Sequence, residues 1–325
     1  MTERQRIVQD AVERFPALPI RAIARYILYN YSDVFENDLE KIRDHVRRAT
    51  GTHGVRNRED VVANRVIRTR PPIMPVTWRE PRKPYILPPG LWLALFDVHL
   101  PFHEPKALES AIAYGKSQKV TGVFFGGDLQ DCAAVSFWIT GRKREFDKEI
   151  EAVIDFLDLI EYEFKEKKKV YKPGNHEYRL PRYYQVKVPE LIGLPLGAME
   201  TILDLEGRDI EFLDYKQVIM AGKLPIIHGH EVPNLARSIN PARGLFMKTK
   251  SWAMCGHCHT TSQHNETNIQ GTLLTTWTVG CLCDLHPDYN PYGNNWNHGL
   301  AIINVDRNGD FEVENRRILP NGRVV

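Results

Sequence analysis

In the first fifty residues, apolar positions return every three or four places. Ile7, Ala11 and Phe15 predict one helix. Ile20, Ile23, Ala24, Ile27 and Leu28, following Pro16 and Pro19, predict a second. Leu39, Ile42 and Val46 predict a third over 37–48, stopping at Gly51. Three short helices with tight turns make residues 1–51 a helix-turn-helix-like module. Over residues 52–90 the period is lost. Arg56, Arg58, Arg65, Arg68, Arg70, Arg79, Arg82 and Lys83 lie among Pro71, Pro72, Pro75, Pro81, Pro84, Pro88 and Pro89. Proline fixes φ and removes a backbone donor, so an extended basic linker is expected, laid across the next domain or free of it.

Residues 91–325 read as one larger domain in which strands and helices alternate. Leu91 to Phe96 predicts a buried strand, 104–117 a helix, Val120 to Phe125 a strand, 145–167 a long amphipathic helix and Lys169 to Tyr171 a strand. Short strands follow near 210–213, 217–221 and 224–228. A β-rich run then covers 252–255, 263–279 and 299–318. The expected class is an α/β core with much antiparallel pairing in its second half, preceded by a small all-α domain.

The chemistry lies where the apolar segments stop. The first runs into Asp97-Val98-His99 and the second into Gly127-Asp128-Leu129-Gln130-Asp131. The third runs into Gly174-Asn175-His176-Glu177, a fourth into His228-Gly229-His230, and a fifth into Gly256-His257-Cys258-His259. Ligand sites of open α/β sheets form at the carboxyl ends of strands, and metal-binding side chains end five apolar segments here.

Composition narrows the setting. Of 325 residues, 42% are hydrophobic and 26% charged, as in an ordinary folded protein. Residues 1–90 hold 17 Lys+Arg against 11 Asp+Glu, whereas the remainder holds 26 against 30. A basic front on an acidic body suits a polyanionic partner, and Lys41, Arg43, Arg47 and Arg48 on the third helix and the Arg142-Lys143-Arg144 loop are candidate phosphate contacts. The longest apolar stretch, Leu91 to Phe96, is too short to span a bilayer, and the start Met1-Thr2-Glu3-Arg4 lacks an apolar signal core. A cytoplasmic protein with no membrane partner is expected. Cys132, Cys255, Cys258, Cys281 and Cys283 do not make a secreted disulfide framework. His257 and His259 interleave with the C-x₂-C pair, which argues against a structural zinc site and for buried free thiols.

Taken together, Asp97-x-His99, Gly127-Asp128-x-x-Asp131, Gly174-Asn175-His176-Glu177, His228 and Gly256-His257-x-His259 resemble the calcineurin-like metallophosphoesterase superfamily over roughly residues 91–280. The resemblance implies a β-sandwich flanked by helices and two divalent cations. Asp97, His99 and His259 would hold one, Asn175, His228 and His257 the other, and Asp128 both. Such ligands suit Mn²⁺ best, with Fe, Zn²⁺ or Mg²⁺ as alternatives. It further implies in-line attack by a bridging hydroxide, with His176 as general acid and Asp131 as the carboxylate holding His176. Arg179, two residues past the Gly-Asn-His-Glu turn, is a candidate for a substrate phosphate oxygen.

Phosphoserine phosphatases of the superfamily carry arginines where this chain has Cys132 and Pro173, which argues against a protein phosphatase. Gly280-Cys281-Leu282-Cys283-Asp284, the run Pro287 to Trp296, and the N-terminal module resemble parts of phosphoesterases found in phage genomes. That resemblance implies a host-cytoplasmic setting and a phosphodiesterase or nuclease acting on nucleic acid or nucleotides. A phosphomonoesterase and an inert DNA-binding protein are the alternatives.

Overall fold

The computed structural model describes residues 1–51, 82–137, 145–193 and 197–325. The Arg142-Lys143-Arg144 loop and linker residues 52–81 lie outside them. The chain divides into two compact units, Met1–Arg79 and Glu80–Val325.

The first unit contains helices α1 (Glu3–Arg14), α2 (Ile20–Asn30) and α3 (Leu39–Ala49), with a 3₁₀ turn at Ser32–Phe35 before the last. Thr2 and Gln5 close a capping box on α1, and Asp38 accepts the amides of Glu40 and Lys41 at the start of α3. Val8, Ala11, Ile23, Ala24, Ile27, Phe35, Ile42 and Val46 form the core, much as the apolar spacing predicts. The basic face of α3 is partly paired: Lys41 with Glu36 at 2.9 Å, Arg48 with Asp44 at 2.6 Å, and Arg43 with Glu40. Exposed pairs of this kind are screened by solvent and contribute little to stability.

The second unit contains two six-stranded mixed sheets with flanking helices. One sheet has the order β12-β11-β2-β3-β4-β5. Its strands are β2 (Gly90–Leu95), β3 (Gly122–Phe125), β4 (Lys168–Tyr171), β5 (Ile210–Phe212), β11 (Gly299–Val305) and β12 (Phe311–Arg317). Strands β2 to β5 are parallel, and β11 and β12 add antiparallel partners. The other sheet has the order β1-β6-β7-β8-β10-β9, comprising β1 (Tyr85–Ile86), β6 (Ile219–Ala221), β7 (Leu224–Ile226), β8 (Ala253–Cys255), β9 (Ser262–Thr267) and β10 (Leu273–Thr278). Tyr85–Ile86 pairs with β6, and Leu87 is buried. Residues 85–90 therefore belong to this unit, although their prolines suggest linker.

Strand β2 is apolar throughout because both its faces are covered. Trp92 and Ala94 face the core between the sheets with Phe124, Val170, Ile226 and Met254. Leu93 and Leu95 face the opposite way, into a core shared with α4 (Pro105–Ser117) and α5 (Phe146–Glu163). Each such buried side chain contributes roughly 1.5–3 kcal/mol. Helices α6 (Arg179–Lys187) and α8 (Pro241–Thr249), with the single turn α7 (Met199–Ile202) between them, complete the unit. This is the helix-flanked two-sheet α/β architecture that the resemblance implies.

Candidate metal centre

The side chains that follow β2, β3 and β4 in one sheet meet those that follow β7 and β8 in the other. Asp97 Oδ1 lies 3.8 Å from His228 Nε2 and 3.5 Å from His259 Nε2. Asp128 Oδ2 lies 3.1 Å from His228 Nε2 and 3.8 Å from Nε2 of both His99 and His176. Asp128 is thus central to the cluster. Asp97, Asp128 and His228 are fully buried, and His99 and His259 almost so.

The local backbone is forced into place. Asp97, His99, Asp128, His257 and His259 all have φ between 52° and 63°. This left-handed conformation costs roughly 1–2 kcal/mol per non-glycine residue, and residues held there cluster at functional sites. Gly127 and Gly174 allow the close approach. A Cβ on the first would strike the His228 ring, and one on the second the Asp128 carboxylate.

The hydrogen bonds settle which ring nitrogen faces inward. His228 Nδ1 donates to the Gly126 carbonyl at 3.1 Å, which leaves the Nε2 lone pair toward the aspartates. His99 Nδ1 donates to Asp131 Oδ2 at 2.9 Å, and its Nε2 lies 3.3 Å from His259 Nε2. Two ring nitrogens that close are held by a shared proton or by a cation. Asp97 Oδ1 and Asn175 Oδ1 are buried with no hydrogen-bond partner, and Asp128 Oδ2 and His228 Nε2, 3.1 Å apart, have none besides each other. Leaving such atoms unsatisfied costs about 1–3 kcal/mol each, more when charged, and a cation removes that cost. Among the described residues, His99–Asp128–His176 and Asp128–His228–His257 each bring three donor atoms within 4.8 Å of one another. The donor set therefore fits divalent cations with mixed oxygen and nitrogen ligands.

The electrostatics express the same demand. Burial opposes ionisation of Asp128, yet the surrounding imidazoles, His228 foremost, hold its carboxyl well below the usual range. Burial disfavours the His228 imidazolium, but Asp128 outweighs it and raises that pKa to about 10. His257 goes the other way: burial and then His228 lower it to about 4. The buried carboxylates thus call for positive charge, from protons or from cations.

Asp131 and Arg179 lie beside the cluster. Asp131, expected to hold His176, contacts both His176 and His99. It bonds His99 Nδ1 through its carboxylate and His176 Nδ1 mainly through its backbone carbonyl at 3.0 Å, with Oδ2 at 3.3 Å. Arg179, expected at a phosphate, donates to the Asp131 carbonyl at 2.9 Å and to Oδ1 at 3.2 Å. Its Nη2 lies 2.9 Å from His176 Nε2. His230 packs beside His228 at 5.4 Å between ring centroids. All five cysteines are buried free thiols, as expected. Sequence spacing carried no sign that Glu177 accepts three backbone amides of the neighbouring loops, or that Cys283 touches His259.

An α/β sandwich with clustered aspartates and histidines able to hold divalent cations is the class that fold and site define. No family model matches the sequence. The gene 54 protein of Mycobacterium phage L5 is 26% identical over 227 residues, 66% of this chain and 88% of that protein. Among solved structures, Vps29 from Entamoeba histolytica aligns over 72% of this chain and 98% of its own, with 11% identity and a TM-score of 0.36. A dimetal phosphatase from Danio rerio aligns over 71% and 96%, with 12% identity and a TM-score of 0.35. The E. coli phosphoesterase YfcE aligns over 69% and 98%, with 11% identity and a TM-score of 0.33. Among the described residues, no helix is long and apolar enough to cross a membrane.

Proposed function

We propose that this protein is a dinuclear metal-dependent phosphoesterase that cleaves phosphodiesters of nucleic acid or nucleotides in a host cytoplasm. The observation that carries the proposal is the convergence of Asp97 Oδ1 and Asp128 Oδ2 on His228 Nε2, at 3.8 and 3.1 Å, in a fully buried place, with Asn175 Oδ1 also buried and without a partner. Asp97, His99 and His259 would hold one cation, Asn175, His228 and His257 the other, and Asp128 would contribute to both. Mn²⁺ suits this donor set best, with Fe, Zn²⁺ and Mg²⁺ as the alternatives. Bound cations of this kind supply an activated water nucleophile near neutral pH and neutralise charge on the phosphoryl oxygens.

The chain's own residues do the rest. His176 Nδ1–H donates to the Asp131 carbonyl, so Nε2, which meets Arg179 Nη2 at 2.9 Å, is the nitrogen that would protonate the leaving oxygen once substrate takes the place of that contact. Burial disfavours the His176 imidazolium, but the negative charge of Asp128 acts against it and raises the pKa. Arg179, anchored by Asp131, reaches His176 Nε2, the same place a leaving or phosphoryl oxygen would occupy.

A diester bearing nucleobases is favoured by the aromatic rings beside the site. The Trp296 ring lies 4.2 Å from that of His259, and the exposed Tyr289 lies 6.4 Å from Trp296. Rings of this kind support stacked bases.

The test is paired hydrolysis of bis-p-nitrophenyl phosphate and p-nitrophenyl phosphate by the Mn²⁺-loaded protein. The expected result is preferred cleavage of the diester. A preference for the monoester would make the protein a phosphomonoesterase. No turnover of either, with cations bound, would favour an inert binding protein.

A further inference from the structure

Three histidines of the cluster turn Nε2 inward and hold Nδ1 against a polar atom behind. For His228 that atom is a backbone carbonyl oxygen and for His99 a carboxylate oxygen. For His259 it is a thiol sulfur. Cys283 Sγ lies 3.7 Å from His259 Nδ1, and both side chains are buried. We propose that Cys283 is the positioning residue of the Asp97–His99–His259 cation site: its sulfur accepts the Nδ1–H of His259 and so presents Nε2 as the ligand atom. The proposal rests on the two-cation assignment above. The usual partner of a ligating imidazole is a carboxylate, a carbonyl or water.

The surrounding contacts support sulfur as the acceptor. Cys281, the other thiol within reach of His259, lies 3.7 Å from the Asn297 carbonyl, and the sulfur that contacts Nδ1 directly is that of Cys283. The segment that carries Cys283 is joined to the loop after β2 by three backbone bonds. Leu282 N donates to the Asp97 carbonyl at 2.9 Å, Glu104 N to the Leu282 carbonyl at 2.8 Å, and Asp284 N to the Phe102 carbonyl at 2.9 Å. One short segment therefore sets both the backbone of Asp97 and the ring of His259. His99, His259 and Cys283 also bring one ligand atom each within 4.8 Å of one another, so the sulfur lies close to this pair of histidines. The Asn175–His228–His257 set is supported elsewhere, His228 by the Gly126 carbonyl. Loss of Cys283 should therefore weaken one cation and spare the other.

The experiment is a Mn²⁺ titration of the full-length protein, followed by calorimetry, for the wild type, Cys283→Ala and Cys283→Ser. The wild type should bind two ions. Cys283→Ala should weaken one of them by roughly 10–100-fold and leave the second unchanged. Cys283→Ser keeps an acceptor at the same position and should recover most of that loss, which a merely space-filling role would not predict. The Co²⁺-loaded wild type should show no sulfur-to-cobalt charge-transfer band, because the sulfur lies behind the ring; this measurement stands even if the alanine variant fails to fold. Two wild-type affinities in Cys283→Ala would overturn the proposal. So would a charge-transfer band, which would make Cys283 a ligand. A wild type that binds fewer than two ions would instead remove the two-cation assignment, and this proposal with it.

Discussion

The Glu177 carboxylate accepts the backbone amide of Gly174 at 2.7 Å. It also accepts the amides of Asp128 at 3.1 Å and Gln130 at 3.0 Å, and the Tyr171 hydroxyl at 2.8 Å. One fully buried side chain thus ties the loop after β3 to the loop after β4. Glu177→Ala would strand three buried amides at roughly 1–3 kcal/mol each before relaxation. We expect a loss of about 3 kcal/mol or more in urea unfolding, and a smaller loss for Glu177→Gln. A wild-type midpoint for the alanine variant would mean the loops hold themselves.

Asp128→Asn probes the centre of the cluster. Asp128 Oδ2 is buried, with three imidazoles within 3.8 Å. The amide removes a negative charge and half the acceptor capacity. Elemental analysis should show cation content falling from two per chain, with diesterase activity lost in parallel. Two retained cations would refute a shared ligand.

His176→Ala separates the acid from the cation sites. Metal content should be unchanged, while turnover of a substrate with a poor leaving group falls by a factor on the order of 10² or more. With a p-nitrophenolate leaving group the fall should be smaller, since that group departs without protonation. Equal losses on both substrates would argue against proton donation.

Glu149 offers a pH signature away from the cluster. It lies on α5, is 5% exposed, and accepts the Ala134 amide at 2.9 Å. Burial raises its pKa from 4.5 to about 7 against the opposing Ala134 hydrogen bond. A raised carboxyl pKa means stability that is fully present below about pH 4.5 and lost as pH rises through about 7. Glu149→Gln should therefore gain stability relative to the wild type between pH 5 and pH 8, read from urea midpoints. A pH-independent difference would place the ionisation elsewhere.

Arg47→Glu with Arg48→Glu tests the N-terminal module. If α3 meets a polyanion, the doubly reversed protein should bind DNA more weakly at low salt and with a shallower salt dependence. Hydrolysis of a small chromogenic diester should be unaffected. Unchanged DNA affinity would leave the module a structural or protein-docking role.

The three N-terminal helices and the strands preceding the site were readable from the chain alone, because their information is local. A helical period needs about ten residues. A strand covered on both faces, such as β2, reads as an apolar run whatever covers it. The candidate donors at the strand ends were readable for the same reason, since Asp97, Asp128, Asn175, His228 and His257 each come within a few residues of the end of an apolar segment. Helices α6 and α8 were not readable. Arg179–Lys187 and Pro241–Thr249 are short and begin with proline in the first turn, so their period is weak.

Tertiary structure alone decided how the candidates divide their work. His99 and His259 are 160 residues apart, and Asp131 and Arg179 are 48 apart. No spacing rule reaches across those distances, because the order of strands in two sheets sets them. That order gave Asp131 to His99 as well as His176, turned Arg179 onto His176, and placed Tyr85–Ile86 in a sheet despite the prolines around it. It also set the Cys283 sulfur behind the ring of His259. Residue types at strand ends determined which chemistry is available, and strand pairing determined which atoms face one another.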